Sequence, residues 1–91
     1  MTEYEILTAA IEKYGEKAQE EVAIEEMSEL IQAITHKHRG REHNIAEEIA
    51  DVEIMLRQLK LINNCSMQVQ VIAHEKLARL AERVKEGMEN E

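Results

Sequence analysis

The chain has no proline, no tryptophan and no phenylalanine, one cysteine and three glycines in 91 residues. Without proline, and with glycine confined to positions 15, 40 and 87, little interrupts a helix; a composition led by Ala, Leu, Ile, Glu, Lys and Gln then points to an all-α chain. Tyr4 and Tyr14 are its whole aromatic content, so any core is aliphatic. A single cysteine, Cys65, excludes an intrachain disulfide and fits a reducing, cytoplasmic compartment. No apolar run approaches the roughly 20 residues of a membrane span, and no basic-then-apolar leader opens the chain. Positive charge is also short: the formal net charge is −8, which argues against nucleic-acid binding and against an anionic membrane surface.

What is present is organised. Punctuation and apolar periodicity predict four helices in a single domain spanning 1–91. The first runs from about Glu3 to Tyr14, with Thr2 as N-cap and Gly15 as its end. The second runs from about Lys17 to Lys37, its stripe of Ala23, Met27, Leu30 and Ile34 widened by Ile24 and Ile31. The third starts behind Asn44 as N-cap, carries Ile45, Ile49, Val52, Leu56 and Leu59, and stops at Asn63-Asn64. Ser66 is expected to cap the fourth, which carries Val69, Ile72, Ala73, Leu77, Leu80 and Val84 and frays near Gly87, leaving a mobile tail at about 86–91. The expected architecture is a small four-helix-bundle-like protomer of antiparallel helices. So short a chain offers a thin core, so oligomerisation, as a homodimer or a dimer of dimers, is expected to complete it.

Two acidic pairs stand out, Glu26-x-x-Glu29 and Glu48-x-x-Asp51. Three-residue spacing sets both members of a pair on one helix face, roughly 5–6 Å apart at Cβ. The pairs are mirror-related about a midpoint between His38 and Arg39. A reversal there sets Glu26 level with Asp51 and Glu29 level with Glu48. A lone ExxE is ordinarily a solvated face, but these acids border the apolar stripes, at the seam between helices, where unpaired carboxylates are costly. Four converging carboxylates call for a hard cation, and an all-oxygen donor set suits Mg²⁺, with Mn²⁺ as substitute, over zinc. A di-iron carboxylate bundle also needs Glu-x-x-His pairs, and no histidine here has a glutamate three residues before it.

The run Ala23-Ile-Glu-Glu-Met-Ser-Glu-Leu-Ile, followed by Glu47-Glu-Ile-Ala-Asp-Val, resembles the MazG-like all-α nucleoside triphosphate pyrophosphohydrolases, relatives of the dimeric dUTPases. Their pattern of EExxE, a spacer and ExxD is matched by Glu25, Glu26, Glu29, Glu48 and Asp51, and Tyr14-Gly-Glu-Lys-Ala-Gln19 is similar to the segment that precedes the acidic helix. The likeness covers roughly residues 5–85. The resemblance implies Mg²⁺-dependent hydrolysis of a nucleoside triphosphate between its α and β phosphates, giving a monophosphate and pyrophosphate. Glu26, Glu29, Glu48 and Asp51 are then expected to hold metal, with Glu25 orienting or deprotonating the attacking water. Lys76 sits where the family often places a phosphate-contacting lysine. The asparagine and aromatic residue that often follow it are absent, and Arg79 and Arg83 occupy that region.

Lys76, Arg79 and Arg83 share one face of the fourth helix. A solvated basic face is their ordinary reading, and a phosphate clamp centred on Lys76 and Arg79 is the functional one. Gln19 is a candidate donor to phosphate or base. Tyr14 is expected at a core edge, with stacking on a base as its functional alternative. His36, His38 and His43 read as a solvated loop cluster rather than a zinc site, and Cys65 as a non-catalytic thiol. Two further functions compete with the enzyme: a non-catalytic helical interaction or regulatory module on the same acidic scaffold, and a divalent-cation buffer.

Overall fold

The computed structural model describes residues 1–89 and contains four helices and, among those residues, no strand. They are α1 (Glu3–Tyr14), α2 (Glu16–His38), α3 (Ile45–Ile62) and α4 (Ser66–Glu89). Thr2 caps α1 through a reciprocal box: its hydroxyl accepts from the Glu5 N–H at 3.1 Å, and the Glu5 carboxylate accepts from the Thr2 N–H. Gly15, at φ +93°, both ends α1 and begins α2, a backbone state that an L side chain rarely adopts. At the far end of α3, Asn64 takes the left-handed conformation at φ +49°, as expected of asparagine there.

Three local expectations are corrected. Asn44 occupies the N-cap position of α3, yet its side chain makes no capping bond, because its amide is turned towards Glu48. Ser66 is the first residue of α4 rather than its cap, and the Cys65 carbonyl accepts from the Val69 N–H instead. Helix α4 does not fray at Gly87 but continues through it to Glu89; Asn90 and Glu91 of the expected tail lie outside the described residues.

Helices α2 and α3 form the antiparallel hairpin that dominates the packing, and α1 lies against both. An ion pair at 2.7 Å between Glu3 and Arg57 ties the start of α1 to α3. Helix α4 is different: it meets α3 alone, and none of its described side chains is buried. The radius of gyration is 16.9 Å, against about 12 Å for a compact domain of this length. Within one chain the fold is therefore a three-helix body with a projecting arm, and α4 does not close a bundle.

Burial inside the body departs from the expected stripes. The buried apolar side chains are Leu7, Ala23, Ala33 and Met55, while Ile24, Ile31, Ile34, Ile49 and Leu56 are exposed. Polar Gln19, Glu48 and Gln58 are buried in their place. Periodicity located the apolar face of each helix correctly, but the α2–α3 seam runs along the flank of that face, where the acids are. Tyr14, expected at a core edge, is 58 % exposed because the corner at Gly15 leaves it outside the packed faces; the Lys13 ammonium lies 5.3 Å from its ring centre.

Candidate metal centre

The seam is built from small and polar residues because α2 presents Gln19, Ala23, Glu26, Glu29 and Ala33 along one row, and α3 answers with Glu48, Asp51, Met55 and Gln58. Carboxylate oxygens of Glu26, Glu29 and Glu48 all lie within 4.8 Å of one another. Asp51 lies on the side of Glu26, near enough for its charge to act on that carboxylate. Three of the four acids expected to hold metal are thus gathered at one place, and Asp51 lies beside Glu26 outside that group. No basic side chain pairs with them; the one ion pair among the described residues is that of Glu3 and Arg57.

Electrostatics record the strain. Desolvation first, then the charges of Asp51 and Glu29, raises the pKa of Glu26 above the ordinary carboxylate value. Desolvation likewise raises Glu48, with Glu29 and Asp51 adding to it, while the hydrogen bond from Asn44 at 2.8 Å works the other way. Glu26 Oε2 and Glu48 Oε2 are both withdrawn from solvent without a hydrogen-bond partner. Buried carboxylate oxygens normally find a donor, so two orphans side by side fit a cation that accepts their lone pairs. Glu48 is buried, Glu26 half-buried and Glu29 exposed, so the cluster opens to solvent on one side; all-oxygen donors and several negative charges suit a hard divalent ion.

The other expected residues are placed as follows. Glu25 is exposed on α2 beside Glu26 and stands outside the converged cluster. Gln19 is buried, 8 % exposed, in the same seam but further from the turn. Lys76, Arg79 and Arg83 share a shallow surface of α4 with Leu80, and α4 makes no contact with α2. His36, His38 and His43 do not join the acids; the His43 Nδ1 accepts from the Ile45 N–H at the start of α3. Cys65 is a free thiol at the α3–α4 corner.

One residue escaped the reading of the sequence. Gln58 is 5 % exposed and its Oε1 has no partner. The signal was available: residues 19 and 58 are equidistant from the midpoint that relates the acidic pairs, which sets the two glutamines at the same level of the hairpin, two turns beyond Glu26 and Asp51. Comparison of the chain with family models, with curated proteins and with solved structures gives no match in any of the three.

Proposed function

We propose that the protein is a Mg²⁺-dependent nucleoside triphosphate pyrophosphohydrolase of the MazG-like kind, cleaving a nucleoside triphosphate to the monophosphate and pyrophosphate. The observation that carries this reading is the convergence of Glu26, Glu29 and Glu48, with Asp51 beside them, around two carboxylate oxygens that are buried and unpartnered. Glu26, Glu29, Glu48 and Asp51 would hold Mg²⁺, or Mn²⁺ in its place. Bound there, the ion supplies Lewis acidity and a counter-charge for the phosphate oxygens of an anionic substrate.

The chain's own groups fill the remaining roles. Asn44 orients the Glu48 carboxylate and keeps one of its oxygens occupied, leaving the other directed into the seam. Glu25, solvent-facing beside Glu26 and outside the cluster, would accept a proton from attacking water at its carboxylate. Gln19 contributes an amide to the same seam for phosphate or base. Lys76 and Arg79 remain the phosphate-contacting candidates; with α4 out of contact with α2, they would serve a substrate held on another copy's seam.

The test is pyrophosphate release from a panel of canonical and modified nucleoside triphosphates, with Mg²⁺ and with chelator. Metal-dependent release supports the hydrolase, and the best substrate identifies the base. A folded, metal-binding protein that releases none from any of them favours the second reading, a non-catalytic interaction module, for which the bare length of α4 speaks.

A further inference from the structure

A triphosphate laid against the acid cluster brings more negative charge than a divalent ion cancels, so cationic side chains are needed beside it. Lys76 and Arg79 are on α4, which makes no contact with α2. Helices α2 and α3 together carry four lysines or arginines: Lys17, Lys37, Arg57 and Lys60. Three of them face away from the acids of their own helix. At 100° per residue, Lys17 lies about 120–180° round α2 from Glu26 and Glu29. Arg57 and Lys60 lie about 120–180° round α3 from Glu48 and Asp51. Lys37 is the exception, about 20° from the direction of Glu26 and about 80° from that of Glu29. It continues the row of Glu26, Glu29 and Ala33 one turn further towards the end of the hairpin.

Height agrees with direction. Lys37 is eight residues beyond Glu29, a rise of about 12 Å. A helical side chain leaves its backbone tilted towards the helix N-terminus, which for Lys37 is the direction of the acids. The residue it leans over is Ala33, whose side chain ends at Cβ and is buried in the seam. An extended lysine stem carries the ammonium about 6 Å of the way back. What is left of the gap is of the size that a pair of phosphates bridges. Lys37 is exposed and makes no ion pair among the described residues, and the cluster it approaches is open to solvent at Glu29. The last turn of α2 is held in place, because the Arg41 N–H donates to the His36 carbonyl at 2.9 Å as the chain reverses at Gly40.

We propose that Lys37 is a substrate-binding residue whose ammonium holds the β and γ phosphates of a nucleoside triphosphate, its phosphate tail lying towards the α2–α3 turn. This deepens the hydrolase reading and rests on it. In that reaction the oxygen of water bonds to the α phosphorus while the bond from that phosphorus to the α–β bridging oxygen breaks. The bonding pair stays on the bridging oxygen, which departs within pyrophosphate, and a proton of the water passes to Glu25. Lys37 gives up no proton. It donates hydrogen bonds to the oxygens on which the charge of the leaving group gathers. The residue therefore selects for phosphates beyond the α position, and a monophosphate does not reach it.

The test compares Lys37→Ala, Lys37→Arg and Lys17→Ala in the full chain, Lys17 being the lysine on the opposite face of the same helix. Titration calorimetry reads Mg²⁺ alone, then inorganic tripolyphosphate and a nucleoside monophosphate in the presence of Mg²⁺. Lys37→Ala should weaken tripolyphosphate binding at least ~10-fold, as expected of a lost hydrogen bond to a charged group. It should leave the binding of Mg²⁺ and of the monophosphate unchanged. Lys37→Arg should restore most of the affinity, and Lys17→Ala should alter nothing. A wild type that does not bind tripolyphosphate overturns the proposal, and so does a Lys37→Ala variant that binds it as tightly as wild type. Equal loss of tripolyphosphate and monophosphate also overturns it. The two readings fail separately. If wild type binds tripolyphosphate through Lys37 but releases no pyrophosphate from any nucleoside triphosphate, the phosphate site stands and the reaction falls. If Lys37→Ala leaves both pyrophosphate release and tripolyphosphate affinity intact, the reaction stands and Lys37 falls.

Discussion

The α2–α3 seam and the α4 arm invert the usual distribution of polarity in opposite ways. The seam buries a glutamate and two glutamines, Glu48, Gln19 and Gln58, and withdraws two carboxylate oxygens from water. The arm leaves leucine, isoleucine and valine in water along its whole length. Each is costly alone: unpaired buried carboxylates resist ionisation, and a long exposed apolar face invites association. The seam is short of positive charge and the arm is short of apolar cover. The kind of cost therefore differs between the two regions: on the proposed reading an ion would relieve the one and apolar cover the other.

The sharpest way to separate the two regions is to neutralise the seam. Glu48→Gln keeps the shape of the side chain but removes a ligand charge, and should lower Mg²⁺-dependent pyrophosphate release at least ~100-fold, since even residues that only orient metal ligands contribute about 10–100-fold. The same variant should melt higher than wild type in the absence of metal, because repulsion within the cluster is relieved. A metal-free melting point below that of wild type would break the account of the seam.

Packing provides the next contrast. Met55, 6 % exposed in the seam, should cost about 2–3 kcal/mol on replacement by alanine, at the lower end for a buried methionine because the core is thin. Leu77→Ala, at a position 65 % exposed within the chain, should cost less than ~0.5 kcal/mol in dilute protein. At higher concentration its cost should grow, as the arm finds its cover. Chemical denaturation at two protein concentrations distinguishes the pair.

Acid should act on the seam. Glu26 and Glu48 have folded-state pKa values above the ordinary 4.5, so the folded chain holds more protons than the unfolded one between that value and the raised ones. Their contribution to stability is full below 4.5 and is lost as pH rises through the folded values. Metal-free protein should therefore gain melting temperature as pH falls from neutral towards 4.5, and saturating Mg²⁺ should reverse the trend by competing with protons. The smallest effect expected is at the Glu3–Arg57 pair, 64 % and 46 % exposed at its side chains. Arg57→Ala should change stability by no more than ~0.5 kcal/mol, less at high salt.

Much of this was legible in the order of residues. Glu26, Glu29 and Glu48 are found together because equal spacing on two helices about one turn fixes their relative height, and Gly15, Gly40 and Asn64 mark the corners through conformations that few other residues accept. The exposure of Ile24, Ile31, Ile49 and Leu56 was not legible, because periodicity reports which face is apolar and is silent on what packs against it. Gln58 escaped because a glutamine in a helix usually faces water, and only its mirror relation to Gln19 distinguishes it. Asn44 was read as a cap because asparagine at a helix start usually is one; the proximity of Glu48 redirected its amide. The reach of α4 to Glu89 follows from the tolerance of a helix for a single glycine, at a cost of about 1 kcal/mol relative to alanine.

The corner between α3 and α4 is only three residues long, and it is tied down. The Asn63 amide donates to the Leu59 carbonyl at 2.9 Å, the Asn64 N–H to that of Leu61, and the Cys65 N–H to that of Lys60 at 3.0 Å. With Asn64 fixed in the left-handed state, the arm behaves as a bracket rather than a tether. A tethered helix would surrender its swing each time it docked, and that lost freedom would count against affinity. Here the direction is set when the chain folds, so any surface that covered α4 would meet an arm already aimed.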